Sequence, residues 1–205
     1  MTEYSSMDDL KKNELEHVDW RQSYQDRHSW LVVVAPHGRT IEPLTELIAK
    51  EIAADDFSLF LFEGLRRKDP NKKWLHVRSE LYKDDDLKRL QDNAQVTLSV
   101  HGAANRQDGE KVTHIGGNND QLRELVWNAL DGNGFSVVLG EGHLAGKDLN
   151  NFVNRTKLKG VQLEVSRAER EALADCPARR TRYIGAIHEA LRCYQVALFT
   201  GKAGD

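Results

Sequence analysis

Short runs of consecutive apolar residues, separated by segments of helical period, constrain this chain more than any other feature. Leu31-Val32-Val33-Val34-Ala35 is the first. Such a run reads as a strand buried on both faces, which occurs where helices cover a parallel sheet from both sides. Residues 43–54 follow with helical spacing (Leu44, Leu47, Ile48, Ile52), and Pro43 suits a first helical turn. The pattern then repeats. Residues 57–62, 96–100, 135–139 and 161–165 read as strands, with shorter ones over 74–78 and 111–115. Residues 84–93, 119–131, 168–173 and 183–199 read as helices. The second of these carries Leu122, Leu125, Val126 and Leu130 on one side. Strands alternating with helices predict an α/β fold: one three-layer α/β/α domain with an open, mostly parallel, mixed sheet. Residues 1–28 are charged and carry little strand signal, so they read as an N-terminal arm with a short helix within 7–20. Residues 29–205 form the domain.

The 29 Lys plus Arg against 32 Asp plus Glu give a net charge of -3, which excludes a globally basic nucleic-acid binder. Cys176 and Cys193 alone cannot build a disulfide framework or a CxxC knuckle, so any metal must use His and carboxylate. No apolar run approaches the length of a membrane span, and residues 1–25 lack the form of a signal peptide. The expectation is a monomer made in a cytoplasm, with no nucleic-acid or membrane partner.

Open α/β sheets bind ligands beyond the carboxyl ends of their strands. The apolar runs here are followed by Pro36-His37, Glu63-Gly64, His101-Gly102 and Glu141-Gly142-His143, while Glu164 lies inside the last run. Repeated imidazoles and carboxylates at strand ends, with glycine beside them, suggest a convergent site. His37 and Glu42, with a short loop between them, can turn toward one ion, and His101 from a neighbouring strand completes a His2Glu set suited to one zinc ion. Taken alone, His37 reads first as a capping residue and Glu42 as a carboxylate at a helix start; the His101-Gly102 ending turns the balance to the metal. Glu164 in an apolar strand is costly unless paired, and its pKa is open to the tuning that a general base needs. Glu63 reads as a partner that orients a ligating imidazole. His76, His114, His143 and His188 are spare imidazoles; His143 is the best reserve and His188 reads as structural.

Arg39, residues 66–68 and 72–73, Arg106, Lys111 and Arg155 place cations in loops near this rim. A solvated surface is the ordinary reading. A cleft for a polyanionic polymer is the sharper one, with Arg155 as a bidentate carboxylate clamp and Arg39 and Asn154 as further substrate contacts.

Together these motifs resemble the bacteriophage poly-γ-glutamate hydrolase family. They are Ala35-Pro36-His37-Gly38 with Ile41-Glu42, Leu61-Phe62-Glu63-Gly64, Leu75-His76-Val77 with Arg78-Ser79, Val100-His101-Gly102, Ile115-Gly116-Gly117, the Asn151 to Arg155 segment and Gly160-Val161-Gln162-Leu163-Glu164. Their order covers most of the chain, and Arg39 stands where the family pattern often has glycine. The resemblance implies a fold like the zinc carboxypeptidases and hydrolysis of γ-glutamyl amide bonds in a capsule polymer. It implies His37, Glu42 and His101 as zinc ligands and Glu164 as general base. An enzyme without an export signal that acts on a capsule implies release by host lysis. The competing expectations are a zinc amidohydrolase or carboxypeptidase acting on a small N-acyl amino acid, and a binding module for anionic polymers.

Overall fold

A computed structural model describes residues 3–105 and 109–201. The elements run α1 (Met7–Asn13), β1 (Trp20–Gln25), β2 (Leu31–Arg39), α2 (Thr45–Ala53), β3 (Ser58–Gly64), α3 (Asp85–Asn93), β4 (Val96–Ala103), β5 (Thr113–Gly116), α4 (Asp120–Gly132), β6 (Val137–Leu139), β7 (Gly160–Ser166), α5 (Arg167–Asp175) and α6 (Pro177–Phe199). The strands form one sheet in the order β1-β3-β2-β4-β7-β5-β6. Neighbours β3, β2, β4 and β7 are parallel, β1 and β5 run against them, and β6 is parallel to β5. The expected mixed α/β sheet is therefore present.

Strand alternation divides the core. Val33, Ala35, Leu98, Val100, Leu163 and Val165 join α2, α4 and α6 in one apolar cluster. Val32, Val34, Phe60 and Phe62 join α1, α3 and Phe152 in a second cluster on the other face. Both faces are covered, which is why β2 and β3 read as unbroken apolar runs. The polar residues of β4 and β7, Ser99, His101, Gln162 and Glu164, alternate with the first cluster and so point to the second face.

Several sequence expectations change. Residues 20–25 of the N-terminal arm form the antiparallel edge strand β1, and Trp20 stacks on Phe62 with ring centroids 5.3 Å apart. The arm's helix stops at Asn13, which leaves Leu15 and Val18 exposed. Residues 74–78 are not a strand. Their Leu75 and Val77 are buried in the second cluster, and Trp74 makes one isolated bridge to Glu3. Pro43 and Leu44 precede α2, because Leu44 adopts φ 76°, outside helical geometry. Among the described residues no helix is long and apolar enough to cross a membrane.

Candidate active site

The carboxyl end of β2 breaks register between Ala35 and Gly38, which lifts His37 out of the regular ladder. The chain then turns tightly, with Glu42 N donating to His37 O at 2.7 Å. That turn brings the Glu42 carboxylate back over the sheet. Its Oε1 lies 3.1 Å from His37 Nδ1, and its Oε2 accepts from Gly102 N at 2.8 Å. His37 Nε2 lies 2.9 Å from Val77 O. A carbonyl only accepts, so Nε2 carries the hydrogen and the neutral ring turns its Nδ1 lone pair toward Glu42. Two lone-pair atoms 3.1 Å apart require something positive between them, either a proton or a metal cation.

Further imidazoles surround the same carboxylate. His101 Nδ1 lies 3.7 Å from Glu42 Oε2, and His76 Nε2 lies 3.8 Å from Glu42 Oε1. The ring of His37 is 5.1 Å from that of His101 and 4.1 Å from that of His76, by centroids. Bonds of 2.0–2.2 Å around tetrahedral zinc separate donor atoms by roughly 3.3–3.6 Å. The separations here straddle that range. His37, Glu42 and His76 offer donor atoms that all lie within 4.8 Å of one another. His101 Nε2 is buried without a hydrogen bond. A ligating imidazole that passes its other N–H to a backbone carbonyl is the usual arrangement, and His37 with Val77 has it. The donor set therefore fits a zinc-type cation.

The electrostatics follow from burial and this crowding. Burial works against charge on His37, and the Glu42 carboxylate outweighs it, so the imidazole is held above its ordinary 6.5. Burial alone would raise Glu42; the charge and hydrogen bond of His37, then His101 and the Gly102 N–H, hold it at about 2. Burial, then the neighbouring His37, pushes His76 down to about 2. His101 falls to about 4, by burial first and His37 next, against the pull of Glu42.

Glu164 stands beside this cluster. In the sheet it is paired with His101 of β4 on one side and with His114 of β5 on the other. Paired residues share a face, so the imidazole, carboxylate and imidazole form a row across three strands. Only 7% of Glu164 is exposed. Burial first, then the charge of Glu42, raises its pKa well above 4.5, against the opposing pull of Arg170 and Gln162. A cavity of about 470 Å³ opens over the row, lined among others by His37, Glu42, His76, Arg78, His101 and Glu164.

The remaining candidates lie elsewhere. Arg155 donates to Tyr82 O at 2.6 Å and Asn150 O at 3.0 Å, so its fork ties two loop carbonyls together. Asn154 Nδ2 donates to Gly146 O at 2.8 Å and Asp148 O at 3.0 Å, and holds the loop that roofs the site. Arg39 and Glu63 line a separate groove with Arg21 and Lys50. There Glu63 receives both arms of Arg21, at 2.7 and 2.9 Å, instead of orienting an imidazole. Arg39 adopts φ 56°, the left-handed region glycine occupies freely. Arg106 lies outside the described residues. His188 Nε2 meets Ile52 O at 2.9 Å, a structural bond as expected.

Sequence reasoning assigns no role to His76, Arg78, Gln162 or Arg170. Arg170 is buried in α5 and donates to Val165 O, Pro43 O and Ala103 O at 3.1, 2.5 and 3.3 Å. Its place in a charged helical segment gives no hint of this. The other three carry a signal, since each lies within one of the motifs noted above.

Residues 4–186 match the family model described as poly-gamma-glutamate hydrolase. Among solved structures, bacteriophage poly-gamma-glutamate hydrolase superposes with a TM-score of 0.85 at 26% identity, covering 95% of this chain and 99% of that one. The zinc-free apo form of YndL superposes with a TM-score of 0.79 at 24% identity, over 94% and 98% of the two chains. An N-acetylmuramoyl-L-alanine amidase from Clostridium difficile 630 shares the fold at a TM-score of 0.52 and 15% identity, over 83% and 98%. Among curated proteins none matches the sequence.

Proposed function

Since the chain belongs to the poly-gamma-glutamate hydrolase family and is a hydrolase, we propose that it cuts γ-glutamyl amide bonds with one zinc ion held by His37, Glu42 and His101 and with Glu164 as general base. The observation that carries this is the meeting of His37 Nδ1 and Glu42 Oε1 at 3.1 Å, with the His37 tautomer set by Val77. His101 is the third ligand because it sits on a central strand in register with Glu164, which brings metal and base together. His76, on the irregular 74–78 segment and stacked on Trp74 at 4.7 Å, stands at the rim.

A zinc ion in such a site supplies Lewis acidity and brings the ionisation of water toward neutral pH. Glu164 takes a proton from the attacking water and returns it to the leaving amide nitrogen. Burial that disfavours its charge makes it a stronger base than an exposed carboxylate. Arg78 lines the same cavity and its side chain is 63% exposed, with Glu80 as a neighbour at 3.5 Å. It is better placed than Arg155 to receive a free α-carboxylate of the polymer. The substrate this reading implies is a polyanionic chain that carries a free α-carboxylate on each unit.

The test combines elemental analysis with size profiling of a poly-γ-glutamate digest. About one zinc per chain and internal cuts are expected, and His37→Ala should lose both zinc and turnover. Zinc loss in His76→Ala but not in His101→Ala would exchange the third ligand. Turnover confined to short N-acyl glutamates would replace the polymer with a small substrate.

A further inference from the structure

Beside Glu164, along the wall of the same cavity, runs a buried line of amides that the chemistry above does not use. Val153 N donates to Asn151 Oδ1 at 3.0 Å. Asn151 Nδ2 donates to Gln162 Oε1 at 3.1 Å, and Gln162 Nε2 donates to Glu164 Oε1 at 2.9 Å. Asn151 is 2% exposed and Gln162 1%. Amide oxygen and nitrogen are distinguished only by their partners, and here the partners leave no choice. A backbone N–H can only donate, so Asn151 must present oxygen to it and nitrogen to Gln162. Gln162 must then present oxygen to Asn151 and nitrogen to Glu164. The polarity of the whole line is set by one peptide group outside the reaction.

The line is also packed in place. Gly146 adopts φ 59° against the Gln162 amide; a Cβ there would come within 3.0 Å of its Cδ and Oε1. Asn154 holds Gly146 by its carbonyl, so the loop is clamped onto Gln162.

We propose that Asn151 and Gln162 are positioning residues that hold Glu164 by Oε1 and leave Oε2 as the oxygen that receives and returns the proton. This rests on Glu164 being the base. In the step, a water O–H bond breaks and its proton goes to Oε2, the water oxygen bonds the amide carbon, and the C–N bond breaks as the proton passes from Oε2 to nitrogen. Gln162 exchanges no proton. Its N–H supplies a fixed donor, so the carboxylate stays in one rotamer and its second oxygen stays in the cavity. A positioned general base contributes about 100-fold or more to rate, and that is the amount at stake.

Asn151→Asp reverses the Gln162 amide while leaving Glu164 and Gln162 themselves unsubstituted. The carboxylate introduced there has no N–H for Gln162, so the Gln162 amide must turn to donate to it and offers oxygen to Glu164. Gln162→Met removes the donor at nearly constant shape. Each variant is assayed on poly-γ-glutamate with zinc content and melting temperature measured on the same preparation. Both are expected to retain about one zinc and to lose about 100-fold in kcat, with KM changed less than about threefold. In the metal-free protein, the Gln162 side-chain amide protons should shift in Asn151→Asp as their acceptor changes from Glu164 to the new carboxylate. Glu164→Gln, run in parallel, separates the two claims. If it keeps turnover, the base assignment fails. If it is inactive while both amide variants are folded, zinc-loaded and close to the parent kcat, the positioning role is wrong. If one variant does not fold, the other carries the same test.

Discussion

Arg170→Met is the perturbation with the clearest arithmetic. The guanidinium is buried and its three hydrogen bonds go to the carbonyls of Pro43, Ala103 and Val165. It thus ties the loop after Glu42 to the carboxyl ends of β4 and β7. Hydrogen bonds to charged groups contribute roughly 1.5–3 kcal/mol each. Two good bonds and a long third give about 5 kcal/mol. Burial pushes the Arg170 pKa down, which shows that the charge is poorly solvated there. Removing it recovers a desolvation cost, and about 2 kcal/mol of recovery leaves a net loss of about 3 kcal/mol. For a domain of this length that corresponds to a melting temperature lower by roughly 6–12 °C. The site should suffer as well. A Cβ on Gly102 would fall 2.6 Å from Arg170 Cζ, so the guanidinium forms the wall against which Gly102 presents its N–H to Glu42. Loosening a partner of a ligand costs about 10–100-fold in metal affinity. The assay is urea unfolding of metal-free protein, then zinc titration against a competing chelator. Arg170→Lys should recover part of the stability, because one ammonium reaches some of the carbonyls. A Met variant within about 1 kcal/mol of the parent, with zinc affinity within about twofold, would refute the reasoning.

Arg39→Gly should raise stability by about 0.5 kcal/mol, the cost of a left-handed residue offset by the chain freedom glycine adds when unfolded, while Arg39→Val should lower it by more than about 1 kcal/mol; a glycine variant less stable than the parent in urea unfolding would contradict this. Metal-free protein should lose stability as pH falls from about 6 to about 5. His101 and His76 have folded values far below 6.5, so the unfolded chain binds two more protons there. Glu164 and His37 have raised values, so both work against this difference. The two imidazoles outweigh them, so stability rises with pH, and Glu164→Gln should steepen the slope. The Glu42 contribution is present above 4.5 and is lost only as pH falls toward 2. Urea midpoints taken between about pH 6 and about pH 5 measure the slope, and a slope unchanged by Glu164→Gln would remove the raised carboxyl.

What the sequence made legible follows from burial. Strands covered on both faces are largely apolar, so β2 and β3 are visible as runs, while β4 and β7 show apolar residues alternating with polar ones. The edge strand β1, Trp-Arg-Gln-Ser-Tyr-Gln, buries only Trp20 fully and turns polar residues to solvent. Its pairing with β3 is fixed by a partner roughly forty residues away, which no local pattern encodes. Residues 74–78 show the opposite error. Leu75 and Val77 are apolar because they cover the sheet, and burial without a ladder looks the same in sequence as burial within one.

The same distinction governs the site. His101 and Glu164 were accessible because strand alternation places a polar residue among apolar ones only at a cost, and both bear that cost on the same face. Gln162 carries the same signature two residues before Glu164, yet an amide invites a structural reading, and its direction of donation depends on Asn151 and the Val153 N–H. Arg155 and Arg170 argue the point from the cationic side. Both are arginines near the site, and both commit their donors to backbone carbonyls. A guanidinium matches a carboxylate and a pair of loop carbonyls equally well, so composition cannot tell a substrate clamp from a strut. Accessibility can: Arg78 keeps 63% of its side chain exposed at the cavity that holds Glu42 and Glu164. If Arg78 is the clamp, Arg78→Ala raises KM for the polymer while zinc content and stability stay at parent values. Arg155→Ala, in contrast, lowers the melting temperature first.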